Sequence, residues 1–256
     1  MKSRKLIEFI NEIQFKNRNP IDNSVLDLLN DLHTNPEWVI AKGEQLYRSR
    51  IIGIGSAINS SPKFYGYGPK DSFVPPKELS RDMRANYRYI PYLYCTDDPY
   101  LSIIEVRPRY SSQVSVATIL LKDNITLMDF TMRKKPTNMS NVKHNLFSDL
   151  SELFSKPITD DDNILDYIPT QYIAEFTKNL GYDGIAYKSS LDVEMSEKLN
   201  VSGKTNVVVF QYEKCMPICS NVYRITNSFI ECEQVDGDFE RKKISCPLEY
   251  SLESLL

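Results

Sequence analysis

The chain has 256 residues, of which 41% are hydrophobic, and a formal net charge of -3 with both signs interspersed. That balance gives no electrostatic basis for binding nucleic acid or an anionic membrane surface, and no segment is long and apolar enough to span a bilayer as a helix. The five cysteines, Cys95, Cys215, Cys219, Cys232 and Cys246, are an odd set that fits reduced thiols rather than a disulfide framework, and a chain of this length buries a core without one.

The start, Met1 to Ile7, carries lysine and arginine as a signal peptide does, but Glu8, Asn11 and Glu12 interrupt the apolar run and no small-residue cleavage site follows. It reads instead as a helix of a cytoplasmic protein. Leu6, Ile7, Phe9, Ile10 and Ile13 fall at helical spacing, with Glu8 and Glu12 on the other side. Pro20 ends that helix. Asn23 or Ser24 can cap a second, whose apolar face is Val25, Leu28, Leu29 and Leu32. Residues 1–40 are therefore expected to form a helical N-terminal extension, and residues 41–256 the main domain.

Gln45 to Ile52 reads as a strand. Residues 53–82, rich in Gly, Pro, Ser, Tyr and Lys, form a long loop, and long loops in compact domains are often functional. A short strand follows at Pro91 to Cys95. Asp97 or Asp98 can then cap the helix that carries Glu105, because an aspartate there satisfies free N–H groups. Val114 to Leu121 and Ile125 to Phe130 are strands. Val142 to Phe154 has helical spacing. A charged turn, Thr159 to Asp162, precedes a helix through Tyr172, Ile173, Phe176 and Leu180 that ends at Gly181. Gly184 to Tyr187 and Asn206 to Tyr212 are strands, and Val222 to Thr226 with Ser228 to Cys232 form a final hairpin around Asn227. These strands do not alternate with helices as regular βαβ units, so the expected class is α+β rather than a doubly wound sheet.

A few polar residues stand out. Arg48 and Arg50 are two apart on a strand, so both leave one face; guanidiniums there are costly in a core and suited to gripping a diphosphate, although a solvated face would also hold them. Glu105 lies at the margin of an apolar helical stripe beside Leu101 and Ile104, as either a solvated edge residue or a site group. Tyr94 sits in a tyrosine-rich strand with Tyr87, Tyr89 and Tyr92, where packing is the ordinary role. Ser189 and Ser190 follow a strand, where a serine commonly begins a turn. His33 and His144 are the only histidines, so a serine hydrolase has no obvious base. Cys215 to Cys219 lacks a second ligand pair for zinc, Asp160 to Asp162 suits a helix cap better than a cation, and no Walker or dinucleotide glycine fingerprint is present. No metal is expected.

The order and surroundings of Tyr47-Arg48-Ser49-Arg50, Arg84-Ala85-Asn86, Ile90 to Tyr94 followed by Glu105-Val106-Arg107-Pro108, Ile168 to Phe176, Gly181 to Ile185 with the serine beyond, and Asn206 to Phe210 resemble the RES family, across residues 45–212. The resemblance implies an ADP-ribosyltransferase-like split β-core around an NAD cleft, with flanking helices and a catalytic domain over residues 41–256. It implies an enzyme that consumes NAD+ by cleaving its nicotinamide–ribose bond, by phosphorolysis or hydrolysis, as the toxin of a toxin–antitoxin pair with an antitoxin as partner. Glu105, Arg48 and Ser189 would be catalytic, and Arg48, Arg84, Tyr94, Arg50 and Asn86 would bind NAD+, the substrate. The chain departs from the family pattern at Met83, Tyr87 and Lys188, which stand where glycine, proline and proline are usual. The resemblance leaves open Ser189 against Ser190, and water against phosphate as acceptor. Two other readings remain: an ADP-ribosyltransferase modifying a protein, which shares every named residue, and an inactive interaction module acting through the N-terminal helices.

Overall fold

The structure is a computed structural model that describes residues 3–20, 23–32, 38–56, 62–133, 140–156, 164–191, 205–226, 229–233 and 243–247. Two amphipathic helices come first, α1 (Arg4–Phe15) and α2 (Ser24–Leu32). The Ser3 hydroxyl caps α1 by accepting from the Leu6 amide, and the Asn23 carboxamide accepts from the Val25 amide at 2.8 Å at the head of α2. Each cap satisfies an amide that the first turn leaves without a partner. Leu6, Phe9 and Ile13 of α1 and Val25, Leu28 and Leu29 of α2 are buried, while Ile7 is exposed.

The strands are β1 (Trp38–Ile40), β2 (Gln45–Ile51), β3 (Leu93–Thr96), β4 (Gln113–Leu121), β5 (Ile125–Asp129), β6 (Gly184–Lys188), β7 (Thr205–Val209) and β8 (Cys215–Arg224). They form one eight-stranded sheet in the order β1-β5-β6-β7-β3-β2-β4-β8. Only β5 and β6 run parallel, because the chain between them crosses over through α4 (Asn141–Ser155) and α5 (Ile164–Asn179). With α3 (Pro99–Glu105) the described residues hold five α-helices, and the class is mixed α+β.

One face of the sheet packs Met128, Phe130, Ile185, Tyr187, Val208 and Phe210 against α1, α2, α4 and α5. The other buries Leu93, Cys95, Ile119, Leu127, Val207 and Val209 beneath Phe73 and Val74 of the long loop. Val207, Val208 and Val209 thus alternate between two cores, which is why β7 reads as a continuous apolar run. Gly184 sits where β6 meets β7: a Cβ there would lie 2.3 Å from the Val208 carbonyl oxygen, so any side chain would force the strands apart. Gly181, with φ 93°, closes the C-terminus of α5 in the left-handed conformation.

The sheet is not evenly zipped. β2 pairs with β4 along its whole length, from Gln45↔Leu120 to Ile51↔Val114, but meets β3 only at Tyr47↔Thr96. Beyond that pair the two strands part, and the gap becomes the cleft.

The expected C-terminal hairpin is corrected. Val222 belongs to β8, whose partner is β4 through Ser115↔Val222. The second segment lies in β9 (Phe229–Glu233), which pairs instead with β10 (Lys243–Pro247) as a separate two-stranded sheet. The long edge of β4 offers β8 a full ladder of backbone partners, which outweighs a short local turn. Asn227, Ser228 and the charged turn at Thr159 to Asp162 lie outside the described residues. Cys95, Cys215 and Cys219 are free thiols.

Candidate functional site

The cleft opens where β2 leaves β3 and has a volume of about 420 Å³. Tyr47 and Arg48 of β2, Tyr94, Cys95 and Thr96 of β3, Glu105 of α3, Tyr187 of β6 and Asn206 of β7 all reach it, together with Arg84, Arg107 and Ser190 from loops. A smaller chamber of about 240 Å³ adjoins it, sharing Arg48, Met83 and Tyr94 and adding Arg50, Arg81 and Asn86. Arg48 and Arg50 share a face, as their spacing requires.

Glu105 is the last residue of α3. The Asp98 carboxylate caps the other end by accepting from the Leu101 amide at 2.8 Å. Asp97 does not cap the helix. It accepts from the Thr205 amide at 2.8 Å and pairs with Arg133 at 2.7 Å, tying the turn after β3 to β7. A carboxylate at a helix C-terminus faces the negative end of the helix dipole, so Glu105 needs compensation from elsewhere. It has it: the Ser189 hydroxyl donates to Oε1 at 2.6 Å and the Asn206 amide nitrogen donates to the same oxygen at 2.7 Å. Ser189 is itself buried, and its Oγ accepts from the Leu191 amide at 3.0 Å. Ser189 rather than Ser190 holds the carboxylate.

Arg48 carries the opposite charge without such support. Its Nη1 is buried and has no hydrogen-bond partner among the described residues. Burial, and next the neighbouring Arg50, push Arg48 down to about 10, with the nearby Cys95 thiol opposing; it remains cationic at neutral pH. Burial lowers Arg50 as well, against the influence of Asp71 and Tyr67. A buried guanidinium with an orphaned donor is an unfinished site, and an anion would complete it.

Arg84 and Asn86 are held by the protein. Arg84 Nη1 donates to the carbonyls of Leu153 and Phe154, and Nη2 to that of Lys156, so the guanidinium closes the C-terminus of α4; its Cζ also lies 5.9 Å from the Tyr187 ring centre. The Asn86 amide donates to the carbonyls of Arg81 and Tyr87 at 2.9 and 3.0 Å. Tyr94 ties the loop between them: its hydroxyl donates to Asn86 Oδ1 at 2.7 Å and accepts from the Ala85 amide at 3.1 Å. Burial, and next Tyr187, keep the Tyr94 hydroxyl well above its ordinary range and protonated. Beneath this loop, buried Gln171 of α5 donates to the carbonyls of Met83 and Asn86 at 3.0 and 2.9 Å.

Arg48, Arg50, Arg84, Asn86, Tyr94, Glu105 and Ser190 thus line the cleft or its side chamber, and Ser189 is bonded to Glu105. Sequence reasoning places Asn206 only at the head of a strand and Gln171 only within a helix, and misses what both do here. A signal for Asn206 exists: a carboxamide opening a buried run of valines needs a partner. Among the described residues no group of three His, Cys, Asp or Glu side chains could hold a metal, and no helix is long and apolar enough to cross a membrane.

A family model described as the RES domain matches residues 61–218, more than half of the chain. The chain belongs to the RES domain family. The RES match begins after Arg48 and Arg50, yet both reach the same cleft as Glu105 and its partners or the chamber beside it. No curated protein matches the chain. Among solved structures, the RES chain is similar to one from M. tuberculosis, in the crystal structure of the MbcT–MbcA toxin–antitoxin complex, at 12% identity and a TM-score of 0.44, over 81% of this chain and 94% of that one.

Proposed function

We propose that this RES domain protein consumes NAD+ by breaking the bond between nicotinamide and ribose, and that it is the toxin of a toxin–antitoxin pair. The observation that carries the enzymatic reading is the charge arrangement of the cleft. A carboxylate fixed through one oxygen and a buried guanidinium with an orphaned donor line one space. The toxin reading rests on family membership alone, and the partner it implies is an antitoxin protein.

In this reading Arg48 Nη1 binds the diphosphate, with Arg50 beside it in the side chamber. Tyr94 and Tyr187 offer aromatic surface to nicotinamide or its ribose. Arg84, engaged with the end of α4, and Asn86, engaged with Tyr94, hold the wall against which the dinucleotide lies. Glu105 hydrogen-bonds the ribose and stabilises the oxocarbenium-like charge that grows as nicotinamide leaves with the bonding electron pair. Ser189 keeps Glu105 in place. Water, losing a proton, or phosphate then closes the cation at the anomeric carbon.

The test is to incubate the purified protein with NAD+, with and without phosphate, and to follow free nicotinamide beside an E105Q control. Release that depends on Glu105 supports the enzyme, and its phosphate dependence names the acceptor. No release at any phosphate concentration overturns phosphorolysis and hydrolysis of NAD+ by the protein alone. A mass increase on another protein, with NAD+ present, would then identify ADP-ribosyl transfer.

A further inference from the structure

We infer that Asn206 is the positioning residue that decides which oxygen of Glu105 faces the substrate. The inference rests on the proposed role of Glu105 and goes beyond it. A carboxylate only accepts hydrogen bonds, so the Asn206 amide must present its NH2 group at this contact. Each carboxylate oxygen accepts about two hydrogen bonds in the plane of the group. Oε1 already receives two, from Ser189 Oγ at 2.6 Å and Asn206 Nδ2 at 2.7 Å. Oε2 receives none from the described residues. One oxygen is saturated and the other is left for a ligand.

Asn206 can fix the carboxylate because its own position is set by three strands. It pairs with Thr96 of β3 on one side and Tyr187 of β6 on the other. It is 9% exposed and borders the cleft. The preceding residue is clasped as well: the Thr205 amide donates to Asp97 at 2.8 Å, and the Arg133 that pairs with Asp97 lies 4.5 Å from the Trp38 ring centre. Ser189, by contrast, lies just beyond the end of β6. With Ser189 alone, a single-bonded carboxylate at a helix C-terminus could turn about its terminal torsion, which is broad. The second donor, arriving from a different strand, removes that freedom.

N206A is expected to lower kcat by about 10- to 100-fold, as loss of reacting-group orientation does, with KM changed less than about threefold and NAD+ binding retained. N206D has the same shape but no donor while ionised, and repels Glu105. As pH falls its carboxyl gains a proton and can donate again, so N206D activity relative to wild type should rise while the N206A ratio stays flat. Arg48, Arg84, Arg107, Lys156, Lys188 and Asp82, the other charged groups lining the cleft, act on both variants alike. Unchanged kcat in N206A, or a raised KM with kcat intact, overturns the inference; so does a flat N206D ratio. A wild-type protein that releases no nicotinamide would instead count against the functional reading. A crystal structure of N206A decides the positional claim in either case. If Glu105 keeps its single carboxylate direction, Asn206 does not set it; if that direction is lost, it does.

Discussion

The Ser189 hydroxyl donates to Glu105 Oε1 across 2.6 Å, joining residues 84 positions apart in the chain. Because Ser189 Oγ also accepts from the Leu191 amide, its proton is committed to the carboxylate, and the serine acts as a clamp. S189A is expected to reduce nicotinamide release by about 10- to 100-fold with NAD+ affinity within threefold of wild type, measured by calorimetry. S190A, which leaves the clamp intact, is expected to stay within about threefold in both measurements. A reversed ranking would transfer the clamp to Ser190.

Arg48 sets stability against binding. Its buried Nη1 without a partner costs on the order of 1–3 kcal/mol in the free protein, which R48M removes while keeping much of the side chain's length. R48M should therefore raise the thermal unfolding midpoint and abolish the further rise that NAD+ produces in wild type. A lower midpoint for R48M would mean that the guanidinium is already satisfied.

Gln171 carries the loop that bears Arg84. Its amide donates to the carbonyls of Met83 and Asn86 from a position only 1% exposed. Q171L removes the Gln171 donor from both carbonyls, leaving that of Asn86 with only the Met83 amide, so a loss of about 1–2 kcal/mol is expected in denaturant titration. KM should rise at the same time, because Tyr94 is bonded to that loop and Arg84 belongs to it. A stability loss with unchanged kinetics would separate the loop from substrate binding.

Alkaline pH should loosen the cleft wall. Burial, the largest cause in each case, raises Cys95 above its ordinary 9.0 and Tyr94 and Tyr187 above their ordinary 10.0. Arg48 opposes the shift at Cys95, and Arg84 opposes it at both tyrosines. The folded state retains protons that the unfolded chain releases. The stability linked to these groups is thus complete below pH 9 and falls as pH rises toward the folded values. The unfolding midpoint should decline from about pH 9 upward, and C95A should make that decline shallower without moving its onset, because burial also raises the Cys215 thiol from 9.0 to about 11. An unchanged slope in C95A would place the Cys95 thiol in contact with water.

Local patterns were legible where one segment contains its own cause. The apolar stripes of α1 and α2, the Asn23 and Asp98 caps, the valine run of β7 and Gly181 at the end of α5 are each decided by residues within a turn or two. The pairing of β8 was not, because the edge that captures it belongs to β4, roughly a hundred residues earlier; antiparallel partners are chosen by the whole sheet.

The candidate site divides along the same line. Its chemical groups can be read from residue order: the arginines at 48, 50 and 84, Tyr94, Glu105 and the serine pair stand in an order similar to the RES family. What each group has left to offer follows from the fold. Arg84 meets the carbonyls ending α4, Arg48 is orphaned where β2 leaves β3, and one oxygen of Glu105 is saturated by Ser189 and Asn206. A side chain's type is written in one position, but its free hydrogen-bonding capacity depends on which distant atoms surround it, and folding alone brings those together.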